Sequence, residues 1–144
     1  MKLVIRIAGQ IGIDERIKET LDRLRIRKKF ACVAIRDSPE NMGMIEKVRN
    51  FVAYGDIDKE TLALLIEKRG RKVDKTKKIE KAEKIAEEMF SGKIEKRFED
   101  FNIKPFFAMH PPRKGIDSKI HYPRAKGVLG NHGNKIKELM ERML

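Results

Sequence analysis

Three histidines, His110, His121 and His132, stand eleven residues apart in the last third of the chain. Metal ligands must converge, and this spacing matches neither an i,i+4 pair on a helix nor a zinc finger. No cysteine or carboxylate cluster accompanies them, so no metal site is expected. Gly127, Gly130 and Gly133 lead through Asn134 and Lys135 into a helix-forming run. Glycines before a helix N-terminus can seat a phosphate on free N–H groups. The run departs from a Walker A loop at Asn134 and at Ile136, and no strand is read directly before it. Turn-making alone accounts for the glycines equally well. Ser38, Ser91 and Ser118 sit in no nucleophile elbow. Cys32, inside an apolar run without a base beside it, reads as a small buried hydrophobe. No catalysis and no cofactor are expected. The competing reading from a different class is a small nucleotide-binding enzyme built on the 127–135 loop.

The stronger chemistry is electrostatic. Between Lys104 and Lys137 the chain carries eight Lys or Arg against one acid, Asp117, with four of its five prolines, four of its ten glycines and all its histidines. Pro111, Pro112, Pro123 and the glycines are expected to keep most of this tract out of regular helix or strand. Its cations alternate with Phe106, Phe107, Ile116, Ile120, Tyr122, Val128 and Leu129, unlike a solvated linker. Successive cations on an extended chain can meet successive phosphates, and aromatic rings can stack on unpaired bases. RNA is the partner this predicts, with the tract ordered by lying on it. A second basic knot, Arg25, Arg27, Lys28 and Lys29, lies between the first helix and second strand, where a helix C-terminus also favours cations.

The 144 residues suffice for one domain, or a small domain with an appendage. A net charge of +12 implies an acidic partner. Residues 1–70 carry 15 basic and 11 acidic side chains, whereas residues 71–144 carry 19 and 11. A single cysteine excludes an internal disulfide and suits a reducing interior. The opening run MKLVIRIAG is too short for a signal sequence and is broken by Arg6, and no stretch is long enough to span a membrane.

Periodicity supplies the scaffold. Residues 2–8 alternate as a strand; Asp14 caps a helix to about Arg25; Phe30 to Ile35, apolar on both faces, is a central strand. Ser38 followed by Pro39 opens a second helix with Met42, Ile45 and Val48 inward, and Phe51 to Tyr54 is a third strand. This β-α-β-α-β unit has two helices on one sheet face. The other face is left for a partner or for the chain's own tail. Asp58 opens a helix ending at Gly70 as its C′ residue. A charged helix runs from about Lys77 to Phe90, and its Lys–Glu alternation reads as a solvated face. Ile94, Phe98 and Phe101 suggest a short helix, Lys104 to Met109 a strand, and Asn134 the cap of a last helix.

Several segments together resemble a known family. They are Gly9-Gln10-Ile11-Gly12, Asp37-Ser38-Pro39, Met42-Gly43-Met44-Ile45, Val52-Ala53-Tyr54-Gly55 and Leu64 to Gly70, and above all His110-Pro111-Pro112-Arg113-Lys114-Gly115 and Gly127-Val128-Leu129-Gly130-Asn131-His132-Gly133. The chain resembles the archaeal long form of the large-ribosomal-subunit protein L-thirty family, whose eukaryotic relative is protein seven of that subunit. The resemblance implies an α+β fold. Its parts would be a β-α-β-α-β core distantly ferredoxin-like, which with the helix after it makes up residues 1–70, and an added C-terminal subdomain (105–144), basic, extended and ending in a helix. Residues 71–104 carry none of the matching segments and read from their own composition as a charged helical insertion.

It further implies a structural constituent of the cytoplasmic ribosome that binds ribosomal RNA and adjoins other ribosomal proteins, with no membrane or small-molecule partner. RNA contacts in the tail are assigned to His110, Arg113, Lys114, Lys119, His121, Tyr122, Arg124, Lys126, Asn131, His132, Asn134 and Lys135. In the core they are assigned to Gln10 and Met42 by the resemblance, and to Arg25, Arg27, Lys28, Lys29 and Lys47. The alternative of the same class is a free RNA-binding protein, a chaperone or translation regulator.

Overall fold

A computed structural model describes residues 1–92 and 97–144; Ile94, expected in a short helix, lies outside them. Strand β1 (Lys2–Arg6) is followed by helix α1 (Glu15–Arg23), opened by the Asp14 carboxylate accepting the Arg16 N–H at 2.9 Å. Strand β2 (Ala31–Ile35) leads to helix α2 (Pro39–Val48), where the Ser38 hydroxyl accepts the Asn41 N–H at 3.2 Å and Pro39 pre-sets the first turn. Strand β3 (Val52–Asp56), helix α3 (Lys59–Arg69) and helix α4 (Ala82–Ser91) follow. The C-terminal part adds β4 (Phe107–Ala108), β5 (Ser118–His121), β6 (Gly127–Asn131) and α5 (Ile136–Met143).

All six strands form one mixed sheet in the order β4-β2-β1-β3-β6-β5, so the fold is α+β. β1 is antiparallel to both β2 and β3, β4 is antiparallel to β2, and β6 and β5 run parallel to β3 and to each other. The first three strands are buried on both faces. Val4, Val33 and Tyr54 meet Leu21, Leu24, Ile45 and Val48 beneath α1 and α2. Leu3, Ile5, Cys32 and Ala53 meet Leu62, Leu65, Ile85, Leu139 and Met143 from α3, α4 and α5. The chain's own later helices therefore cover the second face. Eight-residue α5 is too short to persist alone. It is held by burying Ile136, Leu139, Met140 and Met143, at about 1.5–3 kcal/mol of transfer free energy each.

Four elements depart from their sequence reading. Helix α4 starts at Ala82 rather than near Lys77 because Asn102 claims the preceding backbone: its amide donates to the carbonyls of Asp74 (2.9 Å) and Lys77 (3.3 Å) and accepts the Asp74 N–H (2.7 Å). Gly70 ends α3 at φ −59° and is not a left-handed C′ residue. A β-carbon there would run into the Ile66 carbonyl oxygen. Most of the basic tract lies outside α-helix and strand, as expected, but Gly127 and Gly130, expected to interrupt any regular run, fall inside strand β6. Its glycines admit the neighbouring strand instead of breaking the pattern. A β-carbon at Gly127 would overlap the Ile120 carbonyl, one at Gly130 would lie 2.5 Å from His121 Nδ1, and Val128 and Leu129 between them are buried. Asn134 does not cap α5. It sits in a 3-10 turn (Gly133–Lys135), and no side chain caps the helix at Lys135.

Candidate nucleic-acid interface

The end of β1 at Arg6 is level with the beginnings of β2 and β3, because Ile5 faces Cys32 and Arg6 faces Val52. Backbone bonds draw the adjoining loops together there. The N–H groups of Ile7 and Ala8 both donate to the Phe51 carbonyl (3.0 and 3.1 Å), Phe30 donates to Arg6 (2.8 Å), and Met109 donates to Phe30 (3.0 Å). Loops separated by tens of residues thus share one end of the sheet.

Arg6 organises that end. It is 1% exposed, and its guanidinium donates to the carbonyls of Ala8 (3.1 Å), Gly9 (2.9 Å), Ile26 (3.0 Å) and Arg27 (2.6 Å). Burial pulls its pKa down, with Asp22 acting in the opposite direction, but a guanidinium stays charged. The fork clamps the loop carrying Gln10 to the loop carrying the basic knot. The Gln10 amide adds a bond of 2.6 Å to the Arg27 carbonyl, and Ile11 beside it is fully exposed. By sequence Arg6 lies on one face of the alternating first strand and interrupts an apolar run, with no partner assigned to it. A charge in a strand flanked by buried residues was the signal for an internal donor.

The core cations differ in what they offer. Lys28 is exposed, and the exposed Lys29 sets its ammonium 4.8 Å from the Phe30 ring centroid. Arg27 Nε lies 3.6 Å from Asp22. Arg25 is hydrogen-bonded to the Glu99 carboxylate, so its charge is matched within the chain. It lines a flank groove of about 420 Å³ with Arg23, Arg36 and Arg97. Lys47 is exposed in the last turn of α2, while Met42 is half-buried against the cluster beneath α1 and α2.

The His110–Gly115 run is fastened to the end of α5. The N–H groups of His110 and Arg113 donate to the carbonyls of Met143 and Arg142, both at 2.9 Å. The Arg142 guanidinium returns bonds to the carbonyls of Arg113 (3.1 Å) and Gly115 (2.6 Å). These bonds satisfy helix-terminal carbonyls that would otherwise lack partners. They leave the Arg113 and Lys114 side chains exposed on a turn with φ of 67° at Lys114 and 72° at Gly115.

At the far edge of the sheet, Lys119 is exposed and His121 Nε2–H donates to Asn50 Oδ1 at 2.7 Å, joining β5 to the α2–β3 loop. Tyr122 stacks on His132, with centroids 4.4 Å apart and planes 23° apart. His132 Nε2–H donates to the Val128 carbonyl at 2.8 Å, and burial lowers the imidazole pKa, so the ring is neutral at pH 7. Arg124, Lys126, Asn134 and Lys135 are exposed, and Asn131 Oδ1 accepts the Gly133 N–H. Phe107, read as a base-stacking candidate, is fully buried with its ring edge-on to Phe98.

The structure therefore brings Gln10, Arg27, Lys28 and Lys29 together, and joins Tyr122 to His132. It separates Arg25 and Met42 from that set. Arg6, Asn50 and Arg142 are structural partners that the sequence reading missed. Among the described residues, the rings of His121 and His132 are bonded to different partners, and His110 is tied only through its backbone N–H. No group of three or more described His, Cys, Asp or Glu is placed to hold a metal ion. Cys32 is buried, which pushes its thiol pKa up. No helix among the described residues is long and apolar enough to cross a membrane.

Residues 3–52 match the family model described as ribosomal protein L30p/L7e. The chain is 42% identical to large ribosomal subunit protein uL30 of Archaeoglobus fulgidus, with 99% of each chain covered. It is 34% identical to uL30 of Methanobrevibacter smithii over all of both chains, and 37% identical to uL30 of Methanococcus maripaludis over 98% of this chain and 97% of that one. The similarity to these relatives extends through the basic tail, well beyond the segment matched by the family model.

Proposed function

Since this chain belongs to the ribosomal protein L30p/L7e family, we infer that it is a structural constituent of the large ribosomal subunit, binding and stabilising ribosomal RNA. It acts in the cytoplasmic ribosome beside other ribosomal proteins, and its role is non-enzymatic. The observation that carries this reading is similarity over the whole chain to archaeal uL30 proteins, basic tail included.

The mechanism is positional. Exposed Lys28, Lys29, Arg113 and Lys114 neutralise backbone phosphates, and the released counterions favour binding. The Arg6 fork and the Arg142 clamp hold two of the basic segments in fixed shapes, which lowers the ordering cost of binding. Contacts to phosphate set position, while shape and unpaired bases give selectivity. We read residues 1–70 as a distantly ferredoxin-like core, 71–104 as a charged insertion and 105–144 as the added RNA-following part. The two-helix cover on one face and the late strands at both sheet edges support that division.

Sucrose-gradient sedimentation of lysate, with quantitative detection before and after a high-salt wash, tests the reading. One copy per large subunit, retained through the wash, is expected. Recovery mainly in light fractions would instead identify a free RNA-binding protein.

A further inference from the structure

A cavity of about 380 Å³ opens between the β5–β6 connection and α5. Its size lies in the roughly 300–1,000 Å³ range of small-ligand pockets. The stacked rings of Tyr122 and His132 form part of its wall, with Lys126, Lys135 and the carboxylates Asp117 and Glu138 also lining it. The main chain is anchored at both residues, and the His132 ring has a bond of its own. The Tyr122 N–H donates to Leu129 and the His132 N–H to Tyr54, each at 2.8 Å, while His132 Nε2–H holds the Val128 carbonyl.

The combination is specific in its chemistry. A pre-stacked aromatic pair offers a platform for another flat π-system. Two exposed ammonium groups suit a phosphate, and carboxylates accept hydrogen bonds from exocyclic amino groups of bases. A purely electrostatic RNA surface needs neither an aromatic wall nor acids. The chain has no tryptophan and two tyrosines: Tyr54 is buried with its hydroxyl bonded to Glu46, and Tyr122 stands at this cavity.

We propose that this cavity receives one unstacked nucleotide of the bound RNA, its base against the Tyr122–His132 pair and its phosphate near Lys126 and Lys135. The proposal rests on the RNA-binding reading above and deepens it. An amino-bearing base (adenine, guanine or cytosine) is favoured over uracil, because Asp117 and Glu138 can accept from the amino group and uracil has none.

The test uses the full chain, titrated at constant ionic strength with AMP, GMP, CMP, UMP and ribose 5-phosphate. Amide NMR shifts and tyrosine fluorescence are followed. Amino-bearing nucleotides should shift the signals of Gly115, Tyr122, His132 and Glu138 and quench the tyrosine emission, with ribose 5-phosphate and UMP much weaker. Tyr122→Phe should keep binding, and Tyr122→Leu should weaken it about tenfold or more. If Tyr122→Leu fails to fold, the comparison of base-bearing and base-free probes still decides. A hexanucleotide of the preferred base should saturate the same signals at lower concentration than its monomer; tighter binding of the monomer would indicate a free-nucleotide site and overturn the proposal. Equal shifts from ribose 5-phosphate, or none from any nucleotide at millimolar concentration, would also overturn it. Sedimentation of the same protein with the large subunit is read separately, so an empty pocket on a ribosome-bound chain refutes only the pocket.

Discussion

Replacing Arg6 by methionine tests whether one buried guanidinium holds together the loops on either side of α1. It removes four hydrogen bonds, to the carbonyls of Ala8, Gly9, Ile26 and Arg27. At about 1.5–3 kcal/mol for each bond to a charged group, simple addition would reach roughly 6–12 kcal/mol. That sum is too large. Three of the bonds are only partly buried and regain water, and removing the guanidinium also removes its own desolvation cost. The buried Ile26 carbonyl left without a partner costs about 1–3 kcal/mol, and each of the other three about 0.5 kcal/mol. The expected net loss is about 3–4 kcal/mol, set mainly by the unpartnered carbonyls. For a chain of this size that lowers Tm by roughly 10 °C. Arg6→Lys, whose ammonium lacks the planar fork, should lose about half as much. Urea unfolding followed by circular dichroism measures the loss, with Lys28→Ala as a surface control expected within about 0.5 kcal/mol of the parent. An Arg6→Met variant within about 1 kcal/mol of the parent would refute the clamp, since even the single buried carbonyl should cost that much.

Neutralising Arg113 and Lys114 together to glutamine should reduce the salt-dependence slope of binding to protein-free large-subunit RNA by about 1.5–2; an unchanged slope would remove both as phosphate contacts. Gly130→Ala meets both a φ of +83° and a β-carbon 2.5 Å from His121 Nδ1, so a loss of about 2–4 kcal/mol is expected by urea titration. Gly115→Ala, at φ +72° with open space around it, should lose only about 1–2 kcal/mol, and equal losses would discount the β5–β6 packing. His132 is held neutral by burial, which sets its folded pKa below the usual imidazole value of about 6.5. The unfolded chain therefore binds the proton first on acidification. This contribution to stability is fully present above pH 6.5 and declines below it. A ring titration by NMR giving a midpoint at or above 6.5 would contradict the buried, carbonyl-bonded geometry.

Local chemistry was legible from the residues alone. Asp14 and Ser38-Pro39 mark helix starts because a cap bond joins groups two or three positions apart, and both form as read. The unbroken apolar run around Cys32 marks a strand buried on both faces, as β2 is. The surplus of cations, and the resemblance carried by the His110–Gly115 and Gly127–Gly133 runs, pointed to RNA and the ribosome before any fold was built. Tertiary structure decided which side chains are spent internally. Arg25 is taken by Glu99, 74 positions away, His121 by Asn50, 71 positions away, and Arg6 by loops on both sides of α1. It also decided that Gly127 and Gly130 belong to a packed strand rather than a loop, because the groups a β-carbon would strike come from β5. A cap or an amphipathic face is encoded within a few residues. A charge partner or a steric limit across the fold exists only once distant segments have closed together, and composition does not specify which ones meet.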